Sequence, residues 1–184
     1  MNTGHLSSRY ATALLLHAKE NNTLEVLHDE ANMLTHMFSE MADIKLALDN
    51  PVLPNSEKRK LILNAAGGKT SKTMEQFADL LLKNRRESQI QNIMLKFIEL
   101  YRSDKNIHYC KLTTASPLDK ATEERLVKFI TSQTGGTLEF NKIIDPDVLG
   151  GFSLEVDNKL WDATLETQLR KIKSTLIDVN KRIV

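Results

Sequence analysis

Cysteine is nearly absent from this chain of 184 residues, which has only Cys110, and aromatic residues make up just 5% of it. One cysteine cannot close an internal disulfide, so a reducing compartment is expected. Within "IHYCKL", Cys110 has the setting of a small strand residue rather than a reactive thiol. No apolar run reaches the ~18 to 20 residues a membrane-crossing helix needs. The start, "MNTGHLSSRYATALLLHAKE", has neither the cationic opening nor the small-residue cleavage site of a secretion signal. A soluble chain is therefore expected. An excess of charge of one sign is also missing: 25 Lys plus Arg stand against 24 Asp plus Glu, a net charge of +1. That balance argues against a general nucleic-acid binder, which needs a strong field to attract phosphates. The length suits one generous domain or two small ones.

Glycine is missing between Gly4 and Gly67, and over that stretch apolar residues recur at helical spacing. A first helix is expected from near Ser7 to Glu20, with Tyr10, Ala13, Leu14 and His17 on one face. A second carries Leu24, Leu27, Ala31, Leu34, Phe38 and Met41 as a sustained apolar stripe. "DIKLAL" forms a short third helix, ending at "NPVLP", where Pro51 and Pro54 bar the preceding residues from helical geometry. "NSEKRKLILNAA" opens on an Asn or Ser cap as the fourth, "SKTMEQFADLLLKN" is the fifth and "SQIQNIMLKFIELYRSD" the sixth. Between the fourth and fifth lies "AAGGKTS", with the Gly-Lys-Thr triplet that closes a phosphate-cradling loop. Leu63 holds the place of that loop's first glycine, and a helix rather than a strand precedes it. Gly67 and Gly68 read instead as a helix C-cap.

Beyond "SDKN" the period changes. "IHYCKLTTA" alternates and reads as a strand. "SPLDKATEERLVKFITSQTGG" reads as a helix capped at Ser116, "TLEFNKII" as a second strand, and "FSLEVDNKLWDA" as a hairpin turning at "DN". A final helix starts around Thr164. The expected fold is mainly α: a six-helix bundle over residues 1–105, then a small α/β domain over 106–184. In the last helix Leu165, Leu169, Ile172, Leu176, Val179 and Ile183 form a narrow apolar seam. Its first half is expected to pack on the small sheet. Its last turns, at Leu176, Val179 and Ile183, reach past what four strands cover and point to a partner.

Constellations that would carry chemistry fail on spacing. His5, His17, His28, His36 and His108 lie on separate elements without metal-ligand spacing. "DPD" at Asp145–Asp147 suits a tight turn better than paired carboxylates. No nucleophile stands in an elbow context. The basic runs "EKRK" and "KNRRE" are flanked by acids and lack interleaved aromatics. No catalytic residue, cofactor or metal is expected. A small nucleic-acid-binding or ribosome-associated factor is the alternative reading, and it wants a net basic face. Gly150 and Gly151, between a β-type run and an alternating one, imply a bulge or a backbone crossing that tolerates no side chain.

The stretch around that glycine pair resembles the signature of the delta subunit of F-type ATP synthase, the oligomycin-sensitivity-conferring protein family: Asp145, Val148, Gly150, Gly151, Phe152, Leu154 and Val156 fall on its pattern. "RYATALL" (Arg9 to Leu15) resembles the family's opening helix, and Asn50–Pro51 with Lys58 after it is a third match. Asp157, where the family usually has glycine, and Trp161, in place of a smaller aliphatic, depart from the pattern. The resemblance implies a noncatalytic stator component of a proton-driven ATP synthase. Its helical bundle would grip the N-terminal segments of the alpha subunits, and its C-terminal domain the C-terminal helix of the b subunit. It would lie at the cytoplasmic face of a bacterial inner membrane. The family's groove between first and fifth helices maps to Tyr10, Ala13, Phe77, Leu80 and Leu81. For each of these taken singly, packing within the core is as good a reading. The succession Leu80, Leu81, Leu82 is wider than one buried stripe requires, and Ala13 would let a foreign helix approach closely.

Overall fold

A computed structural model describes residues 3–117, 119–146, 148, 150–156 and 159–181, the side chains of residues 3, 120, 121, 133, 134 and 175–181 excepted. The chain divides into two compact units, Met1–Asp104 and Lys105–Val184.

The first unit contains helices α1 (Thr3–Glu20), α2 (Leu24–Glu40), α3 (Ala42–Asp49), α4 (Asn55–Ala65), α5 (Lys72–Lys83) and α6 (Ile90–Lys105), with a 3-10 turn at Glu87–Gln89. α1 starts a turn earlier than its apolar spacing marks, since a glycine such as Gly4 costs a helix only about 1 kcal/mol. α4 takes Asn55 as its first residue and Pro54 as its N-cap, without a side-chain cap. The core is built from the apolar stripes of several helices: Leu27 and Leu34 from α2, Ile62 from α4, Met74 and Leu81 from α5, and Ile90, Ile93, Met94 and Phe97 from α6 are fully enclosed.

The second unit is a four-stranded sheet in the order β2-β1-β3-β4 with two helices. β1 (Ile107–Thr114) runs parallel to β2 (Thr137–Ile144) through the crossover helix α7 (Lys120–Thr134). β3 (Phe152–Val156) lies antiparallel to β1 and to β4 (Lys159–Asp162). The expected hairpin turn at Asp157 and Asn158 lies outside the described residues. α7 is capped by Asp119, whose carboxylate accepts from the Thr122 N–H at 3.2 Å, and not by Ser116. A charged acceptor at a helix N-terminus satisfies an orphan donor and also complements the helix dipole.

The register sorts the two faces of this sheet. Leu112 and Leu154 stand in one row with Trp161, and Cys110 and Val156 in the next. With Ile130 of α7 these residues form the core of the unit, and Leu126, Leu138, Phe140 and Phe152 pack against it. The opposite face has the row Asn141–Lys111–Glu155–Leu160, which is mostly polar. The last helix is α8 (Leu165–Lys181). The expectation that the first half of its seam packs on the sheet is corrected: Leu165, Leu169 and Ile172 are 45%, 59% and 56% exposed. α7 already occupies the apolar side.

Candidate partner-binding faces

α1 and α5 are antiparallel neighbours. The ring of Tyr10, in the first half of α1, meets that of Phe77 edge-on at 6.5 Å and 74°. Its hydroxyl accepts from Asn84 Nδ2 at 3.4 Å, at the C-terminal end of α5. At the other end, the Thr23 and Thr73 hydroxyls share a hydrogen bond of 3.0 Å. On the same two helices Ala13 and Leu16 of α1 and Leu80 of α5 are exposed. Tyr10 is half-buried and Phe77 is buried as the floor. Leu81 takes no place on this surface. It is wholly enclosed, because adjacent helical residues project about 100° apart. Leu82 is buried as well, so of the three successive leucines only Leu80 faces outward. Leu16, on the exposed rim of α1, was not among the expected residues. The apolar "LLL" at 14–16 is its only sequence signal, too wide a run for one stripe.

α5 is held firmly on its other sides. Arg59 of α4 donates from Nε to Asp79 at 2.7 Å and from Nη2 to Glu75 at 3.0 Å. The Asp79 hydrogen bond first, and then that of Glu75, hold the guanidinium above its ordinary value. At the N-terminus Ser71 caps the helix, accepting from the Met74 N–H at 3.2 Å. Glu30 of α2, itself buried, accepts from both the backbone N–H and the hydroxyl of Ser71. This arrangement answers the Gly-Lys-Thr question. Gly67 and Gly68, both at positive φ, close α4, with Gly68 N–H donating to the Leu63 carbonyl at 2.9 Å. The Glu30 carboxylate then fills the helix N-terminus that a phosphate would need, and would repel it. Sequence reading missed Glu30, whose signal is an acid set inside the apolar stripe of α2.

Lys58, singled out by resemblance, is buried. Its ammonium donates to the Leu48 carbonyl at 2.6 Å and to Glu87 Oε1 at 2.8 Å. One cation thus closes the C-terminal end of α3, just before Asn50–Pro51, and ties it to the turn preceding α6. A positive charge at a helix C-terminus is favoured by the dipole, and Glu87 supplies the pairing a buried charge requires.

In the second unit the described part of the α8 seam is bare, as given above. Leu176 and Val179 lie on α8, but their side chains, like Ile183 altogether, are outside the described residues. Trp161 is half exposed on the edge strand β4. No three His, Cys, Asp or Glu side chains converge to hold a metal ion among the described residues.

The model of the ATP synthase delta (OSCP) subunit matches residues 6–176. The chain belongs to that family. The ATP synthase subunit delta of Phocaeicola vulgatus is 40% identical over 185 residues and that of Bacteroides fragilis 40% identical over 186, each covering 100% of both chains. The subunit delta of Prochlorococcus marinus is 29% identical over 175 residues, 95% of this chain and 96% of its own. The fold is shared with a chain in the cryo-EM structure of the Toxoplasma gondii mitochondrial ATP synthase hexamer, with a TM-score of 0.72 at 19% identity, covering 94% and 97% of the two chains. The delta (OSCP) subunit is a structural stalk subunit rather than a catalytic one, and within the described residues no helix is long and apolar enough to cross a membrane.

Proposed function

We propose that the protein is a noncatalytic stator subunit of the peripheral stalk, linking the catalytic head of an F-type ATP synthase to its membrane-anchored b subunit in proton-driven ATP synthesis. Its six helices act as one bundle, and the α1/α5 groove receives the amphipathic N-terminal segment of an alpha subunit. α8 receives the C-terminal helix of the b subunit. The whole sits peripherally at the cytoplasmic face of a bacterial inner membrane.

The observation that carries this reading is the α1/α5 seam. In this reading, exposed Ala13 and Leu16 of α1 and Leu80 of α5 flank the edge-on Tyr10–Phe77 pair that joins the two helices, and α5 is tied to its neighbours by Glu30 and Arg59. A stator must resist torque without doing chemistry, so it needs apolar contact on rigid elements and slow dissociation. A groove between two helices that receives a third by its apolar face supplies such contact, and a specific interface buries about 800 Å² per partner. The small side chain of Ala13 allows close approach, and Leu80 stands across from it as an anchor.

The test is binding of a synthetic alpha N-terminal peptide to the full chain, by calorimetry. Leu80→Asp places a charge in the groove while leaving the core untouched. It is expected to weaken the peptide at least tenfold with an unchanged unfolding temperature. Equal affinity in the variant would remove the groove from the account.

A further inference from the structure

In the described first half of α8 burial does not set the helix's direction: Leu165, Leu169 and Ile172 all stand exposed. A helix with a bare apolar face is steered by its root. That root is attached to the sheet through backbone and through one carboxylate. The Leu165 N–H donates to the Gly150 carbonyl and the Ala163 N–H to the Phe152 carbonyl, both at 3.0 Å. Asp162, the last residue of β4, accepts from the Thr164 N–H at 2.9 Å, the Thr164 hydroxyl at 2.7 Å and the Thr167 hydroxyl at 2.8 Å. Thr164 in turn caps the helix, accepting from the Thr167 N–H at 3.3 Å.

The glycine pair makes this attachment sterically possible. Gly150 and Gly151 lie at φ +147° and +80°, where a side chain is strained. A Cβ on Gly151 would run into the Ala163 carbonyl oxygen and stand 3.0 Å from Thr164 Cα. These are backbone atoms, which cannot swing aside. A Cβ on Gly150 would come within 2.6 Å of Leu165 Cδ1, the far end of a side chain that can rotate. Two bare backbone segments therefore lie directly against each other, one carrying the end of the sheet's loop and the other the first turn of α8.

We propose that Gly150, Gly151 and Asp162 form a seat that sets the angle at which α8 leaves the sheet, and so act as positioning residues for the partner helix. The partner part of this proposal rests on reading α8 as the docking helix for the b subunit. The seat explains why two glycines stand together where no reacting group is present. It also makes a graded demand: Gly151 faces rigid backbone and tolerates nothing, whereas Gly150 faces a movable leucine tip and tolerates an added methyl at the cost of backbone strain alone.

The experiment places nitroxide spin labels on the full chain at Glu155→Cys and Ser174→Cys, both exposed, with the enclosed Cys110 left unlabelled, and measures their separation by pulsed dipolar spectroscopy. A synthetic peptide of the b subunit's C-terminal helix is titrated into the same proteins without labels. The otherwise unaltered chain is expected to give one narrow distance. Gly151→Ala should shift or broaden that distance and weaken the peptide at least tenfold, Gly150→Ala should do so to a smaller degree, and Asp162→Asn should broaden the distance. Binding of the alpha N-terminal peptide should be unchanged in all three. Should Gly151→Ala unfold the unit, Gly150→Ala and Asp162→Asn decide. Distances that match the unaltered chain in the folded variants would overturn the seat. A shifted distance with undiminished peptide binding would overturn its positioning role. Failure of the unaltered chain to bind the b peptide would instead overturn the docking assignment of α8, while the distances would still judge the seat.

Discussion

The helical unit encloses two charges within its apolar core, Glu30 and Lys58, each 6% exposed or less. Both units leave large apolar side chains exposed by more than 40%, among them Leu46, Val52 and Leu95 in the helical unit and Phe129, Leu160, Trp161, Leu165, Leu169 and Ile172 in the α/β unit. Among the described residues, however, the α/β unit buries no charged side chain, and Leu165, Leu169 and Ile172 line a single helix. Both units are built from amphipathic elements, and the difference lies in how many of those elements face one another. In the first unit stripes from several helices share a core, and there is depth enough to enclose a paired ammonium and a capping carboxylate. In the second, one apolar sheet face is covered by one helix, and Leu165, Leu169 and Ile172 of α8 are left exposed. The contrast teaches that a charge is enclosed where several apolar stripes meet around its partner, whereas a helix that meets no second apolar face keeps its seam exposed.

The comparison is broken most directly at Lys58. Lys58→Ala leaves the partly buried Glu87 carboxylate without its cation. Loss of one partner of a fully buried pair costs about 3 to 5 kcal/mol, so a cost toward the lower end of that range is expected. Urea unfolding of the full chain should report that loss, in the transition of the helical unit. If the cost is near zero, the pair is no more than a surface contact.

A narrower test compares two neighbours on α5. Leu81→Ala empties an enclosed site and should destabilise by about 2 to 5 kcal/mol. Leu80→Ala, one residue away but exposed, should stay within about 0.5 kcal/mol. Thermal unfolding of the two variants separates core from rim, and equal losses would place Leu80 in the core.

On α8, Leu169→Ser should leave stability within about 0.5 kcal/mol while reducing affinity for a b-subunit helix peptide. A large loss of stability would mean that the seam is covered within the unit after all.

The smallest effect concerns acid. The Thr164 hydroxyl first, then its backbone N–H and the Thr167 hydroxyl, hold the Asp162 carboxyl below its ordinary value of 3.8. Its folded value is therefore lower than its unfolded one. The stabilisation is complete above the ordinary value and is lost as pH falls through the folded value. Chemical shifts of the first turn of α8 should hold steady down to about pH 4 and move below it, and Asp162→Asn should abolish that titration.

Much of the architecture was legible along the chain. Apolar spacing marked the helices of the first unit, and alternation marked the strands, since both are local consequences of how a helix or a strand turns its side chains. Errors fell at ends: Ser116 looked like the cap of α7, yet Asp119 lies nearer the free N–H groups and brings a charge. The site was only half legible. Tyr10 meets Phe77 between α1 and α5, and Ala13 and Leu80 are exposed, but nothing in "LLL" says which leucine faces out. Glu30 and the Lys58–Glu87 pair were invisible as interactions, because their partners lie 41 and 29 residues away.

The sequence by itself determined which segments are helix or strand, where the character of the chain changes near residue 105, and which family it belongs to. All of these depend on short-range periodicity or on the order of motifs. Only the tertiary structure decided that Leu81 is core while Leu80 is surface, that a carboxylate occupies the helix end a nucleotide would require, and that Leu165, Leu169 and Ile172 of α8 stay exposed. Each of those outcomes depends on which surfaces meet across space, and burial is a property of the pair rather than of either residue.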